Sequence, residues 1–330
     1  MLRILIISIS LFFCYLNFKV YQSYKVQVEP IFEFNKNEYK SNTYYSLQNF
    51  DIDFPNLSAT SFPMYSLLAR YQISFGDYNK ALDLLNESSN VNPYLKVKES
   101  LKAEIYHLLG VRDSSFYYSK LAFEGLPQNA KHFQQYIKEL VYRKDYDEIN
   151  KIFLNSEAKY NSDYWLNYFS AFVNKKTKHK KTVDSLALLA IEKFPTNNQL
   201  KTISAYILYG QDNIKESYEL FELGIKDFES ANYEGASRNF MKSLELNPTD
   251  YTFYENAGMS LINTGEYKKA IEYFEKVLNF KDAPKDGKSF FGIATCHFEL
   301  GDRDLACSFY RKSRDYGYLP AYQRLAEFCN

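Results

Sequence analysis

Apolar positions fall along this chain in two ways. From Ile4 to Phe18 they form a fifteen-residue run broken only by Ser8, Ser10 and Asn17, with Arg3 before it and Lys19 after it. From Phe62 onward they return every three or four residues in helix-length stretches punctuated by glycine, asparagine and proline. That spacing predicts a succession of amphipathic helices. Tyr24 to Ser61 keeps no helical period and is interrupted by Glu29-Pro30, Asp53-Phe54-Pro55 and Ser61-Phe62-Pro63, so residues 24–61 read as a linker.

The helical stretches repeat. Gly224 recurs as Gly258, Tyr233 as Tyr267, Ala236 as Ala270 and Phe240 as Phe274, each 34 residues on. Glycine and alanine at those places let two antiparallel helices approach closely, and the aromatics fill the gap to the next hairpin. Extending the interval gives three repeats in the second half, 217–250, 251–284 and 287–320, the last displaced by two residues across Lys281 to Lys288. In the first half Ala69, Gly76 and Pro93 return as Ala103, Gly110 and Pro127, which supports repeats 62–95 and 96–129. A third repeat, 130–163, has Ile137 and Ile149 where its neighbours carry small residues, so its helices should stand further apart. The fourth, 164–197, recovers Ala171, Ala190 and Pro195.

After Pro195 the register breaks. Gln199 to Tyr209 forms one unpaired amphipathic helix ending at Gly210, read as a cap on a first array spanning 62–210, with a hinge at Gly210–Asn213. A second array then spans 211–330 and closes on a short helix from Ala321 to Cys329.

With these residues in place, the chain resembles the tetratricopeptide repeat (TPR) family over roughly residues 62 to 330, most specifically in 217–320. The resemblance implies an all-α fold, a right-handed TPR-type α-solenoid of stacked hairpins whose concave groove binds peptides or protein surfaces. A second resemblance concerns the first half. Asn92 to Gly110, Asp113 to Asn129, Trp165 and Phe194 to Asn197 are similar to the soluble C-terminal tail of bacterial O-antigen ligase-like membrane proteins. The multi-span membrane domain that carries ligase chemistry is absent from this sequence. That likeness therefore implies an accessory or detached tail of a surface-polysaccharide ligation or polymerisation system, and not a ligase.

The N-terminal run, taken as the segment 1–23, reaches roughly 22 Å as a helix, short of the roughly 30 Å hydrocarbon core unless Lys19 snorkels and Val20 and Tyr21 are included. It lacks small residues in an A-x-A arrangement, the first alanine being Ala59. An uncleaved transmembrane or signal-anchor helix is therefore expected, with secretion after signal cleavage as the alternative. Basic residues are balanced on its two sides, and the short leader points to export of the body. The expected place is the inner membrane, single-pass, with a periplasmic body.

Charge and composition narrow the partners. Lys and Arg number 40 and Asp and Glu 40, so the net charge is zero and no nucleic-acid partner is indicated. Tyrosine (31) and phenylalanine (27) are abundant, as stacked helices require. Oligomeric state is not encoded in any pattern found.

Catalytic and cofactor chemistry were sought and not found. His107, His132, His179 and His297 lie in separate repeats, and no HExxH, phosphate-binding glycine loop or GxSxG occurs. No metal or cofactor site is expected. Cys296-His297 reads as part of one helix. Cys14 lies in the apolar run, and a bridge among Cys296, Cys307 and Cys329 is open if the body is exported. Lys175 to Lys181 is the one charge run, read as a solvated turn or, alternatively, a contact for anionic lipid or glycan.

The groove should be lined by the first helix of each hairpin. In the second array that stripe carries Phe221, Ile225 and Phe228, then Glu255, Met259 and Ile262, then Phe291, Thr295 and Phe298. In the first array it is polar, with Ser66, Arg70, Ser100, Glu104, Gln134 and Lys138, until Tyr168 and Phe172. The candidate groove residues are Tyr168, Phe172, Phe221, Ile225, Phe228, Met259, Phe291 and Phe298; they either hold an apolar peptide or helix or pack on the neighbouring repeat. Phe221, Glu255 and Phe291 stand where chaperone-binding members carry a carboxylate-clamp lysine, so a chaperone-tail adaptor is not expected.

Overall fold

Thr43 and Tyr71 both donate hydrogen bonds to the buried carboxylate of Glu33, at 2.6 and 2.8 Å. This contact shows how the chain begins. In the computed structural model, which describes residues 2–49, 54–88, 91–173 and 181–329, helix α1 runs unbroken from Leu2 to Lys36 for 35 residues, through Pro30. Helix α2 follows at Ser41–Gln48.

The reading of 24–61 as a segment without helical period is thereby corrected. The buried face of α1 carries Ser23, Gln27 and Glu33, so its period is written in polar residues that an apolar scan passes over. Each polar group has a partner. Gln27 donates to Ser23 Oγ at 2.7 Å and accepts from the Ala59 amide at 2.8 Å, and the Lys40 amide donates to Glu33 at 3.0 Å. These bonds and the apolar cluster of Tyr44, Leu47, Met64, Leu67, Leu68 and Tyr71, joined by Val26 and Phe34 of α1, fasten the helix to the repeats.

The predicted helices are present among the described residues. Helix α3 (Met64–Phe75) pairs with α4 (Tyr78–Glu87), α5 (Val97–Leu108) with α6 (Arg112–Gly125), and α7 (Ala130–Tyr142) with α8 (Tyr146–Asn155); α9 (Ser162–Val173) follows. Helix α10 (Lys181–Lys193) packs against α11 (Asn198–Tyr209), which reads as unpaired in the sequence. Then come α12 (Gln211–Glu229) with α13 (Tyr233–Leu246), α14 (Tyr251–Asn263) with α15 (Tyr267–Asn279), and α16 (Lys288–Glu299) with α17 (Arg303–Asp315). Helix α18 (Leu319–Phe328) closes the chain. Among the described residues the only β pairing is an isolated bridge between Leu57 and Pro63.

Turn chemistry follows the repeat. Asp77, Asp145 and Asn232 each accept from the amide three residues on, capping the second helix of their hairpins. The residue that ends the first helix turns left-handed at Gly76, Gly110, Gly265 and Gly301. Lys144 and Ala231 stand at the same step with φ of 59° and 60°, a conformation that favours glycine.

The chain divides into two compact units, residues 1–168 and 169–330, the division falling inside α9. In the first unit Ala69 and Ala81 lie buried between α3 and α4, with Leu85, Leu101 and Ile105. The helices α7 and α8 approach each other more sparsely than α5 and α6, as Ile137 and Ile149 led us to expect. Aromatic rings occupy the room so made: Phe133 stacks on Tyr164 at 3.6 Å and Phe153 on Tyr168 at 4.0 Å.

In the second unit the rings of Phe240 and Phe274 lie against Gly224, Gly258 and Gly292. The sequence expectation of an array boundary at Gly210 differs from the observed division, because α10 and α11 belong to this unit. Lys201 of α11 pairs with Asp282 at 2.5 Å, and Glu192 of α10 with Lys281 at 3.3 Å. Those two ion pairs tie residues before the expected hinge to the loop after α15. Cys307 and Cys329 form a disulfide that ties α17 to the end of α18. Cys296 is free and buried in the cluster around Leu261, Phe274 and Ile293.

Candidate functional site

Six of the eight candidate groove residues lie half-buried on the first helices of the second unit's hairpins. On α12, Phe221 stacks on Phe253 at 4.7 Å and leans on Phe240, while Ile225 and Phe228 border the same cluster. On α14, Met259 and Ile262 flank the core of Leu261, Ala270 and Phe274. On α16, Phe291 meets Tyr310 at 5.3 Å, and Phe298 meets Phe328 of α18 at 4.6 Å. Each of these side chains supports the core with one side and keeps the other accessible.

The charged member of this stripe is neutralised. Glu255 accepts from Lys288 at 2.8 Å, so the charge between the Phe221 and Phe291 segments is cancelled in place. The stripe therefore carries no net charge from α12 to α16.

Tyr168 and Phe172 are placed differently. Tyr168 is 0% and Phe172 1% exposed. Tyr168 donates its hydroxyl to Asn150 at 2.5 Å and helps to fill the wide third hairpin with its stack on Phe153. Their burial removes both from any ligand-facing surface. The ring of Tyr168, which read as part of a groove wall, instead fills that hairpin.

A feature that sequence reasoning missed is an open cleft of about 530 Å³ bordered by α11, the start of α12, the turn before α14 and the loop after α15. Lys201 and Asp282 pair at its edge. Tyr218 donates to Asp250 Oδ2 at 3.2 Å, and partial burial with the Asp250 charge pushes its hydroxyl up to about 12. Asp250 also caps α14 through the Thr252 amide at 3.0 Å. A shallower depression of about 620 Å³ continues from this cleft along α12, sharing Ile214 and Tyr218 and adding Tyr206 and Leu223. The only sequence signal was the break in the 34-residue register after Pro195, which puts α11 outside the repeat.

The polar clusters elsewhere are internal. Glu139, 2% exposed, accepts from Ser115 at 2.8 Å and meets His107 Nδ1 at 2.8 Å, with Arg112 at 3.6 Å. Ser115 is itself buried and also donates to the Ala103 carbonyl, so this contact pins α5, α6 and α7 together. Burial pushes the Cys296 thiol up to about 12, which leaves it protonated and unreactive at neutral pH. His297 stacks flat on Phe309. Among the described residues no group of three or more His, Cys, Asp or Glu side chains is set to hold a metal ion. The lysine run lies outside the described residues except for Lys181.

Comparison with known proteins gives the following. Residues 251–283 and 288–316 each match a model described as a tetratricopeptide repeat. Both lie outside the stretches that carry the O-antigen ligase likeness. Among solved structures, a tetratricopeptide repeat protein from Parabacteroides merdae is 13% identical, with 94% of this chain and 100% of that chain covered and a TM-score of 0.32. A thermophilic TPR protein of Thermus thermophilus is 13% identical over 80% of this chain and 97% of its own, with a TM-score of 0.26. The TPR2AB-domain:pHSP90 complex of yeast Sti1 is 13% identical over 72% of this chain and 97% of that chain, with a TM-score of 0.31. Residues 251–283 and 288–316 are thus tetratricopeptide repeats, set among hairpins that recur at a 34-residue interval with the same glycine–phenylalanine contacts.

Proposed function

We propose that this protein is a membrane-anchored, non-enzymatic scaffold of the bacterial cell envelope that holds a protein or peptide on the apolar stripe of α12, α14 and α16. One observation carries the reading: Phe221, Ile225, Phe228, Met259, Phe291 and Phe298 stay half-exposed on successive first helices, and the charge among them is cancelled by Lys288. An apolar stripe of that kind suits the apolar face of a helix or an extended peptide, with anchors at helical or strand spacing. The yeast Sti1 structure is described as a complex with pHSP90; peptide capture is carried to this chain as a proposal.

Two features support the envelope setting. Helix α1 is long enough to cross a membrane and contains an 18-residue window with a mean hydropathy of 1.8. The Cys307–Cys329 pairing suits an oxidising compartment, which favours a body exported beyond the inner membrane. Tight self-association is not required by the reading.

The test places a photocrosslinking amino acid at Ile225 or Met259 in living cells, with Lys242 on the second helix α13 as the comparison position. Discrete adducts from the two stripe positions and none from Lys242 support the scaffold. Equal labelling from all three would overturn it. Alkaline extraction and protease accessibility in spheroplasts test the anchor and the periplasmic body: an extractable chain, or a body protected until the inner membrane is broken, would refute that setting.

A further inference from the structure

The repeats touch α1 close to the point where the helix would leave the bilayer. Tyr21 and Tyr24 are exposed at the end of its apolar run, where aromatic rings mark the membrane–water boundary. Gln27 lies three residues further, a rise of about 4.5 Å. The headgroup layer on one side of a bilayer is about 5–7 Å deep. Gln27 is buried and accepts the Ala59 amide at 2.8 Å while donating to Ser23 at 2.7 Å.

The turn that carries Ala59 points the same way. Phe62 packs its ring on Phe34 at 5.0 Å, seven residues or about 10 Å further along α1 than Gln27. From Phe62 the chain therefore descends towards the membrane end of α1. Its tip is closed by the Ser61 amide donating to the Ser58 carbonyl at 2.9 Å and by the Ser58 amide donating to the Phe62 carbonyl at 2.8 Å. Ala59, Thr60 and Ser61 are exposed there.

We propose that the turn tip Ala59–Ser61 lies in the lipid headgroup layer and is a second membrane contact beside α1. The proposal rests on α1 acting as an uncleaved anchor. The tip presents small side chains and hydroxyls and no charge, so it suits the phosphate and ester oxygens shared by all phospholipids. Contact with it is independent of anionic lipid. The Gln27 carboxamide fixes the depth, because it holds the tip and the helix at one level.

The experiment uses the full chain in phosphatidylcholine vesicles, carrying Cys14→Ser to remove the exposed thiol and Thr60→Cys to take an environment-sensitive fluorophore. A second chain carries Lys36→Cys, nine residues beyond Gln27 along the same helix. Quenching lipids bear the nitroxide on the headgroup, and alkaline flotation is run on the same samples. The expected result is loss of most of the fluorescence at position 60, little loss at position 36, and no change when anionic lipid is added. A chain that floats at alkaline pH but keeps its fluorescence at position 60 overturns the contact while leaving the anchor standing. Protection from an aqueous quencher without lipid quenching points to a protein against the turn, and also overturns it. A chain that fails to float removes the anchor and the contact together.

Discussion

A Cβ built on Gly258 would fall 2.9 Å from Cζ of Phe274, and one built on Gly292, in the next hairpin, would fall 2.5 Å from Cζ of the same ring. Phe274 is fully buried and so is held between two glycines, one from its own hairpin and one from its neighbour. Gly224 and Phe240 repeat the relation one hairpin earlier, at 2.6 Å. The ring sets how closely consecutive hairpins stack.

Alanine at either glycine should therefore force the ring out of place. Gly258→Ala and Gly292→Ala are each expected to destabilise the second unit by about 1–2 kcal/mol, strain outweighing the better helix preference of alanine. Urea unfolding followed by circular dichroism measures this. Adding Phe274→Leu should shrink the penalty, since the two sites are in contact and couple; an unchanged penalty would show that the ring is not the obstacle.

Ala231 and Lys144 hold left-handed turns that other hairpins give to glycine. Ala231→Gly and Lys144→Gly should each stabilise by about 0.5 kcal/mol, the relief of left-handed strain exceeding the extra freedom of an unfolded glycine. Thermal unfolding decides. A lower midpoint for both would mean that the strain is relieved by contacts elsewhere.

His132 is 4% exposed, and burial, with Lys131 beside it, lowers its imidazole from 6.5 to about 4. Below pH 6.5 the unfolded chain takes up a proton that the folded chain refuses. The contribution of neutral His132 is thus complete above pH 6.5 and fades as the pH falls towards 4, where the loss reaches about 3 kcal/mol. His132→Gln should flatten the fall in stability between those two values. A parallel pH profile for the variant would assign the acid sensitivity to other groups.

Glu33 accepts from Lys40, Thr43 and Tyr71 at once. Glu33→Ala would leave buried donors unpaired and should cost about 3 kcal/mol, with Glu33→Gln costing less. Hydrogen exchange should then rise in α2 and α3 and stay unchanged in α14 and α15. Unaltered protection in α2 and α3 would show that apolar contacts alone hold α1 to the repeats.

The hairpins were legible because their signal lies in residues with one permissible size. Gly224, Gly258, Ala236 and Ala270 sit where helices nearly touch, and a 34-residue interval between such residues leaves little freedom in reading it. The second half of α1 was hidden for the opposite reason. Its buried face uses Ser23, Gln27 and Glu33, and the partners of the last two at Ala59, Thr43 and Tyr71 are distant in sequence, while Pro30 looks like a breaker. Which aromatic positions stay accessible was only partly legible. Phe221 and Phe298 follow the repeat, but Tyr168 has the same pattern for another purpose, the filling of the hairpin that carries Ile137 and Ile149, and Phe172 is buried as well. Aromatic spacing alone does not distinguish a wall from a filler.

The unbroken course of α1 has a mechanical consequence. A flexible tether would let the repeats tumble freely above a bilayer and sweep a wide volume in search of a partner. A continuous helix of 35 residues, clamped at Gln27 and Glu33, couples the two ends in torsion. A turn of the apolar end about its axis is delivered to the first hairpins as the same turn. Any neighbour that gripped the apolar end would thereby steer the azimuth of α3 and α4, and a ligand pulling on those hairpins would twist the apolar end in return.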